Sequence, residues 1–93
     1  MDRKKLKIAR NKIDQLDNSI FNLIKKRTNI VKYMLSLKQF KNQIVDHKRI
    51  NMILKNIRKK SYQHGVDSRI TSRIWKTMIL SFVNFQRRNF KKK

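Results

Sequence analysis

The sequence predicts an all-α fold of three helices, the first much the longest. Three observations predict it. The 93 residues include no proline and a single glycine, so the chain has few places to turn. Its apolar residues recur in alternating steps of three and four, the period of a helix stripe. Three such stripes follow one another, parted by a loop near residues 40–45 and a turn at Gly65.

The first stripe is Ala9, Ile13, Leu16, Ile20, Leu23, Ile30, Met34 and Leu37, on a helix expected from about Leu6 to Gln39. Residues 1–5 are expected to fray. Asp14 and Asp17 are expected to pair with Lys or Arg one turn away, each pair contributing a few tenths of a kcal/mol. One step of the stripe lands on Arg27, a guanidinium in an apolar seam that either snorkels to water or faces an anion. Lys38 follows it at nearly the same angle, about 16 Å along the axis, where two long cationic side chains can lean together around a small dianion. Arg10 lies about 25 Å before Arg27 and cannot reach it within one chain. If Arg10 acts with Arg27, it comes from a second, antiparallel copy.

Phe40 to Val45 reads as the connection, with Lys41, Asn42 and Gln43 exposed. Asp46 is suited to cap the second helix, whose stripe is Ile50, Ile53, Leu54 and Ile57. That helix is expected to fray through the basic Arg58-Lys59-Lys60. Gly65 takes the left-handed position past its end without strain. Asp67 or Ser68 caps the third helix, with Ile70, Ile74, Trp75, Met78, Ile79, Phe82 and Phe85 on its stripe. Gln86 falls on the same stripe, a second polar group on an apolar face. A basic tail follows from about residue 87. Nothing splits the chain, so residues 1–93 are read as one domain.

Composition narrows the chemistry. The formal net charge is +21, and all five acids are Asp. Such a field attracts anions; a genome biased toward Lys, Asn and Ile would produce it too. A lone chain this size buries about 60–65% of its unfolded surface, and dimerisation would add burial. No cysteine is present, which excludes disulfides and thiolate metal sites. The apolar runs are too short for a membrane span, and no signal peptide is visible, so a cytoplasmic protein is expected. His47 and His64 lack metal-ligand spacing and read as surface residues. With no phosphate loop, nucleophile, paired carboxylates or expected cofactor, an enzyme here works by positioning an anion and donating hydrogen bonds to developing negative charge. A pericyclic reaction fits that toolkit.

Ala-Arg-Asn-Lys-Ile-Asp-Gln-Leu-Asp-Asn at residues 9–18 resembles the start of the all-α (type II) chorismate mutases. Arg27, Lys38, the Asp-x-x-Arg of Asp46 and Arg49, the turn Gly65-Val66-Asp67 and the late Gln86 follow in that family's order. The resemblance spans about residues 6–88 and rests on the ordered set rather than on any one motif. It implies an intertwined antiparallel homodimer without a cofactor, rearranging chorismate to prephenate. Arg27 and Arg49, with Arg10 from the partner subunit, would hold the substrate carboxylates, with Asp46 beside them. Lys38 and Gln86 would donate to the ether oxygen. Two positions depart from the family. Ile50 stands where a glutamate commonly reaches the substrate hydroxyl, and Phe82 where serine is frequent. Both are closer to the related isochorismate-pyruvate lyases, as is the short Lys38-to-Arg49 segment, although the lyase's proline-containing loop is missing. Lyase chemistry on isochorismate is therefore an alternative reading. A basic helical nucleic-acid binder is an alternative of another class.

Overall fold

A computed structural model describes residues 2–92. It consists of helices α1 (Arg3–Leu37), α2 (His47–Gln63) and α3 (Ser68–Asn89), with a single 3-10 turn at Lys41–Gln43. The described residues include no strand, in line with the all-α expectation. The chain divides into two compact units, Met1–Val31 and Lys32–Lys93.

The first unit is one helix. α1 begins at Arg3, earlier than the Leu6 expected from the stripe, because Asp2 supplies a cap. Its carboxylate accepts from the Lys5 amide at 3.1 Å and its carbonyl from the Leu6 amide at 3.1 Å. Two orphan donors of the first turn are thereby satisfied, which holds residues expected to fray. The stripe Ile13, Leu16, Ile20 and Leu23 is bare, each side chain more than half exposed. Asp14 and Asp17 are exposed too, and the expected ion pairs with neighbouring cations do not form among the described residues. At that exposure such a pair stabilises too little to hold two long side chains still.

The second unit is a helical hairpin. α1 ends at Leu37 rather than Gln39, and the Lys38 amide closes onto the Leu35 carbonyl at 3.1 Å. In the connection that follows, the Gln43 side-chain oxygen accepts from the Gln39 and Phe40 amides at 2.8 and 2.9 Å. One carboxamide thus satisfies two loop donors and fixes the path of the backbone just after Lys38. Ile44, read from sequence as part of the connecting loop, turns inward and is buried. Asp46 caps α2, accepting the Arg49 amide at 3.0 Å.

α2 continues to Gln63, past the basic residues where fraying was expected. Its end is held by a Schellman turn: the Val66 amide reaches the Ser61 carbonyl at 2.9 Å and the Gly65 amide the Tyr62 carbonyl at 3.5 Å. Gly65 sits at φ 68°, with open space where a side chain would start. Gly65→Ala should therefore lower stability by about 1–2 kcal/mol through backbone strain alone, read as a lower urea midpoint with an unchanged slope. Asp67 caps α3, accepting the Arg69 amide at 2.9 Å.

α3 runs back along α2. Near the turn, the buried Ser61 hydroxyl donates to the Ile57 carbonyl and meets the Thr71 hydroxyl, both at 2.7 Å. Ile50, Ile53, Leu54 and Ile57 face the hairpin interior from α2 and are half-buried, as the stripe predicts. On α3 the interior line is Trp75, Ile79, Phe82, Val83 and Gln86. Ile70 and Ile74, placed on the same stripe from sequence, are more than half exposed. They lie about 115° (Ile74) and about 155° (Ile70) around the helix from the centre of that line. Val83 is its most buried apolar member, which the stripe reading passed over for Phe82.

Candidate active site

Lys38 and Gln86, 48 residues apart, are brought into direct contact. The Lys38 ammonium donates to the Gln86 side-chain oxygen at 2.7 Å. Each gets there for a local reason. Lys38 is the first residue beyond α1, with the Gln43-braced loop behind it. Gln86 projects from the inner line of α3 and is only 8% exposed. Its amide nitrogen donates to the Phe82 carbonyl one turn back at 3.3 Å. The ammonium on one side and the carbonyl on the other fix which way the carboxamide points.

Two donors are therefore only partly spent. An ammonium has three N–H groups and one is used here; the carboxamide nitrogen has two and one is used. The pair can still offer hydrogen bonds to an oxygen placed between them. Among the described residues no carboxylate bonds directly to either group, so the Lys38 charge has no direct ion-pair partner there. That is the arrangement an electrostatic catalyst needs: donors held in place before charge develops.

Burial lowers the Lys38 pKa below the ordinary 10.5, and the negative charge of Asp46 opposes that shift. Asp46 thus does two things, capping α2 and helping to keep Lys38 protonated. The sign for stability follows from proton binding. Between the lowered folded value and 10.5 the unfolded chain binds more protons, so the cost of burying this cation is full at neutral pH and disappears as pH rises through that window. If Lys38 acts as a hydrogen-bond donor to a substrate, the cation is its working form. The rate constant kcat/KM should fall on the alkaline side with an apparent pKa below 10.5. Asp46→Asn should move that limb lower, while a bound dianion should raise it in kcat. A pH profile of both parameters checks this.

The other expected site residues are distributed as follows. Arg49 is exposed on the first turn of α2. Ile50 lines an apolar cleft of about 270 Å³ with Val45, Leu54, Ile79, Leu80 and Val83, edged by Lys76 and Arg87. Neither Lys38 nor Gln86 belongs to that cleft, whose walls are aliphatic with Lys76 and Arg87 as its cationic edge. Phe82 is half-buried and lends its carbonyl to Gln86. In the first unit, Arg27 is half-buried and Arg10 exposed. His47 and His64 are exposed, as read from sequence, and no group of metal-ligating side chains occurs among the described residues. Among the described residues no helix is long and apolar enough to cross a membrane.

Sequence reasoning missed Gln43 and Val83. Gln43 sits in a polar stretch with nothing to distinguish its carboxamide from Gln39. Val83 could have been found, because Ile79, Val83 and Gln86 are spaced by four and three residues.

The chain is similar to known proteins over most of its length. The family described as chorismate mutase type II matches residues 9–87. A relative from Methanocaldococcus jannaschii, named chorismate mutase, is 37% identical over 76 residues, covering 81% of this chain and 77% of its own. No solved structure matches.

Proposed function

Because the chain belongs to the chorismate mutase type II family, we propose that it rearranges chorismate to prephenate with Lys38 and Gln86 as the catalytic donors. The observation that carries this reading is their 2.7 Å contact. In the rearrangement the ether C–O bond of chorismate breaks as a new C–C bond forms, and the ether oxygen gains negative charge in the transition state. The free N–H groups of Lys38 and Gln86 bind that charge more tightly than they bind the neutral ether, which is the condition for acceleration. Nothing in this step requires a nucleophile, a general base or a cofactor.

The carboxylates of the substrate need cations as well. Arg27 and Arg49 supply planar forks suited to bidentate contact, and Arg10 joins them from a second, antiparallel copy. What supports a second copy is the bare stripe of α1, whose isoleucines and leucines would be covered by dimerisation. Asp46 acts beside the substrate through Lys38. Phe82 and Ile50 form apolar walls. A cytoplasmic location fits a substrate made and used among soluble metabolites.

Ile50 favours a second reading, isochorismate-pyruvate lyase activity, because an aliphatic side chain offers a substrate hydroxyl no partner. Incubating the purified chain with chorismate and with isochorismate separates the two. Loss of chorismate ultraviolet absorbance with formation of prephenate is the expected result. Fluorescent salicylate from isochorismate, without chorismate turnover, would replace the mutase reading with the lyase.

A further inference from the structure

The hairpin presents a face that the reaction does not use. α2 contains Lys48, Arg49, Lys55, Arg58, Lys59 and Lys60 and no acid. Four of these cations, Lys48, Lys55, Arg58 and Lys59, fall within an arc of about 100°, opposite the buried line through Ile50, Leu54 and Ile57. Tyr62 continues that arc and is 89% exposed, an unusual waste of an aromatic ring in a small protein. From Lys48 to Tyr62 the line runs about 21 Å. At its end Lys55, Arg58, Lys59 and Tyr62 border an open cleft of about 540 Å³ with Val66 and Ser68. Asp67, the acid that follows, is held by the Arg69 guanidinium at 3.0 and 3.2 Å, so it leaves these cations uncompensated.

We propose that this face of α2 binds single-stranded nucleic acid, its cations on successive phosphates and Tyr62 stacked on a base. Lys55 and Lys59 stand about 6 Å apart along the axis, within reach of neighbouring phosphates of an extended strand. A cationic track with an exposed aromatic is the arrangement that holds unpaired strands, since every base has a face to stack. A duplex would give Tyr62 nothing to stack on. A lipid surface would want an apolar face to insert, and the arc offers only Met52 beside Tyr62.

The test measures fluorescence anisotropy of labelled oligothymidylate and oligouridylate with the full-length chain, between about 50 and 200 mM salt. The variant Lys55→Gln/Arg58→Gln/Lys59→Gln is compared with Lys4→Gln/Lys7→Gln/Lys12→Gln, which removes as much charge from α1. The α2 variant should lose at least tenfold in affinity at low salt, and its salt slope should shrink by about 2. It should keep full chorismate turnover, which also reports that it folds. The α1 variant should lose less than threefold. Tyr62→Ala should weaken the oligonucleotides severalfold yet leave heparin binding unchanged. Equal losses in the two triple variants would overturn the proposal in favour of diffuse charge. So would an unchanged Tyr62→Ala, or tighter binding to phosphatidylglycerol vesicles than to either strand. The two oligonucleotides distinguish DNA from RNA as the source of the strand.

Discussion

Lys38→Ala should reduce chorismate turnover by about 10²–10³-fold, the loss that follows removal of one oxyanion-type donor. The fall should be in kcat and kcat/KM alike, because the contact is stronger in the transition state than in the bound substrate. The fold should survive. Deleting the ammonium removes a cation whose burial is unfavourable, as its lowered pKa records, and this offsets part of the hydrogen bond lost at Gln86. Gln86→Ala should act in the same direction. The double variant should cost less than the two single losses multiplied together, because each group orients the other. Ultraviolet absorbance of chorismate gives the rates, and far-ultraviolet circular dichroism controls for folding. Retention of wild-type kcat in Lys38→Ala would remove the donor pair from the reaction.

Subunit complementation should produce the second large effect. Arg10→Ala and Arg27→Ala should each be nearly inactive alone. If each site joins Arg27 of one chain to Arg10 of the other, a mixed dimer contains one site with both guanidiniums intact and one with neither. Random reassortment makes half the dimers mixed. Unfolding the two variants together and refolding them should therefore restore about a quarter of wild-type activity. The charge on both chains makes the yield sensitive to ionic strength, and assembly should improve with salt. No recovery, with dimers demonstrated by sedimentation, would mean that Arg10 does not act across the subunits.

Much of the hairpin was legible in the sequence, for reasons that are local. Asp46 and Asp67 are cap residues placed just before apolar periodicity, and both accept the expected amides. Gly65 was marked by being the sole glycine between two stripes, and its φ of 68° bears this out. Gln86 stood out because a carboxamide on an apolar face needs a partner, and that partner proved to be Lys38. Less legible were features decided by small rotations about a helix. Ile70 and Ile74 satisfy a three-four spacing yet lie outside the buried arc, while Val83 completes it. Helix ends also escaped, since Asp2 and the turn beyond Gln63 extend α1 and α2 through hydrogen bonds that apolar periodicity does not register.

The placement of the donor pair also bears on the order of assembly. α2 and α3 are joined by a four-residue turn, and the Ser61–Thr71 contact spans only ten residues, so closing the hairpin there costs little chain entropy. Zipping outward from that turn, the chain reaches Lys38 and Gln86 last, across 48 residues. By the same route in reverse, this contact should be the first to come apart in a thermal fluctuation, read as fast amide hydrogen exchange near residues 38 and 86. If Lys38 and Gln86 are the donors, the working end of the hairpin should be its most readily opened part, giving an anion a way in and a product a way out without a dedicated gate.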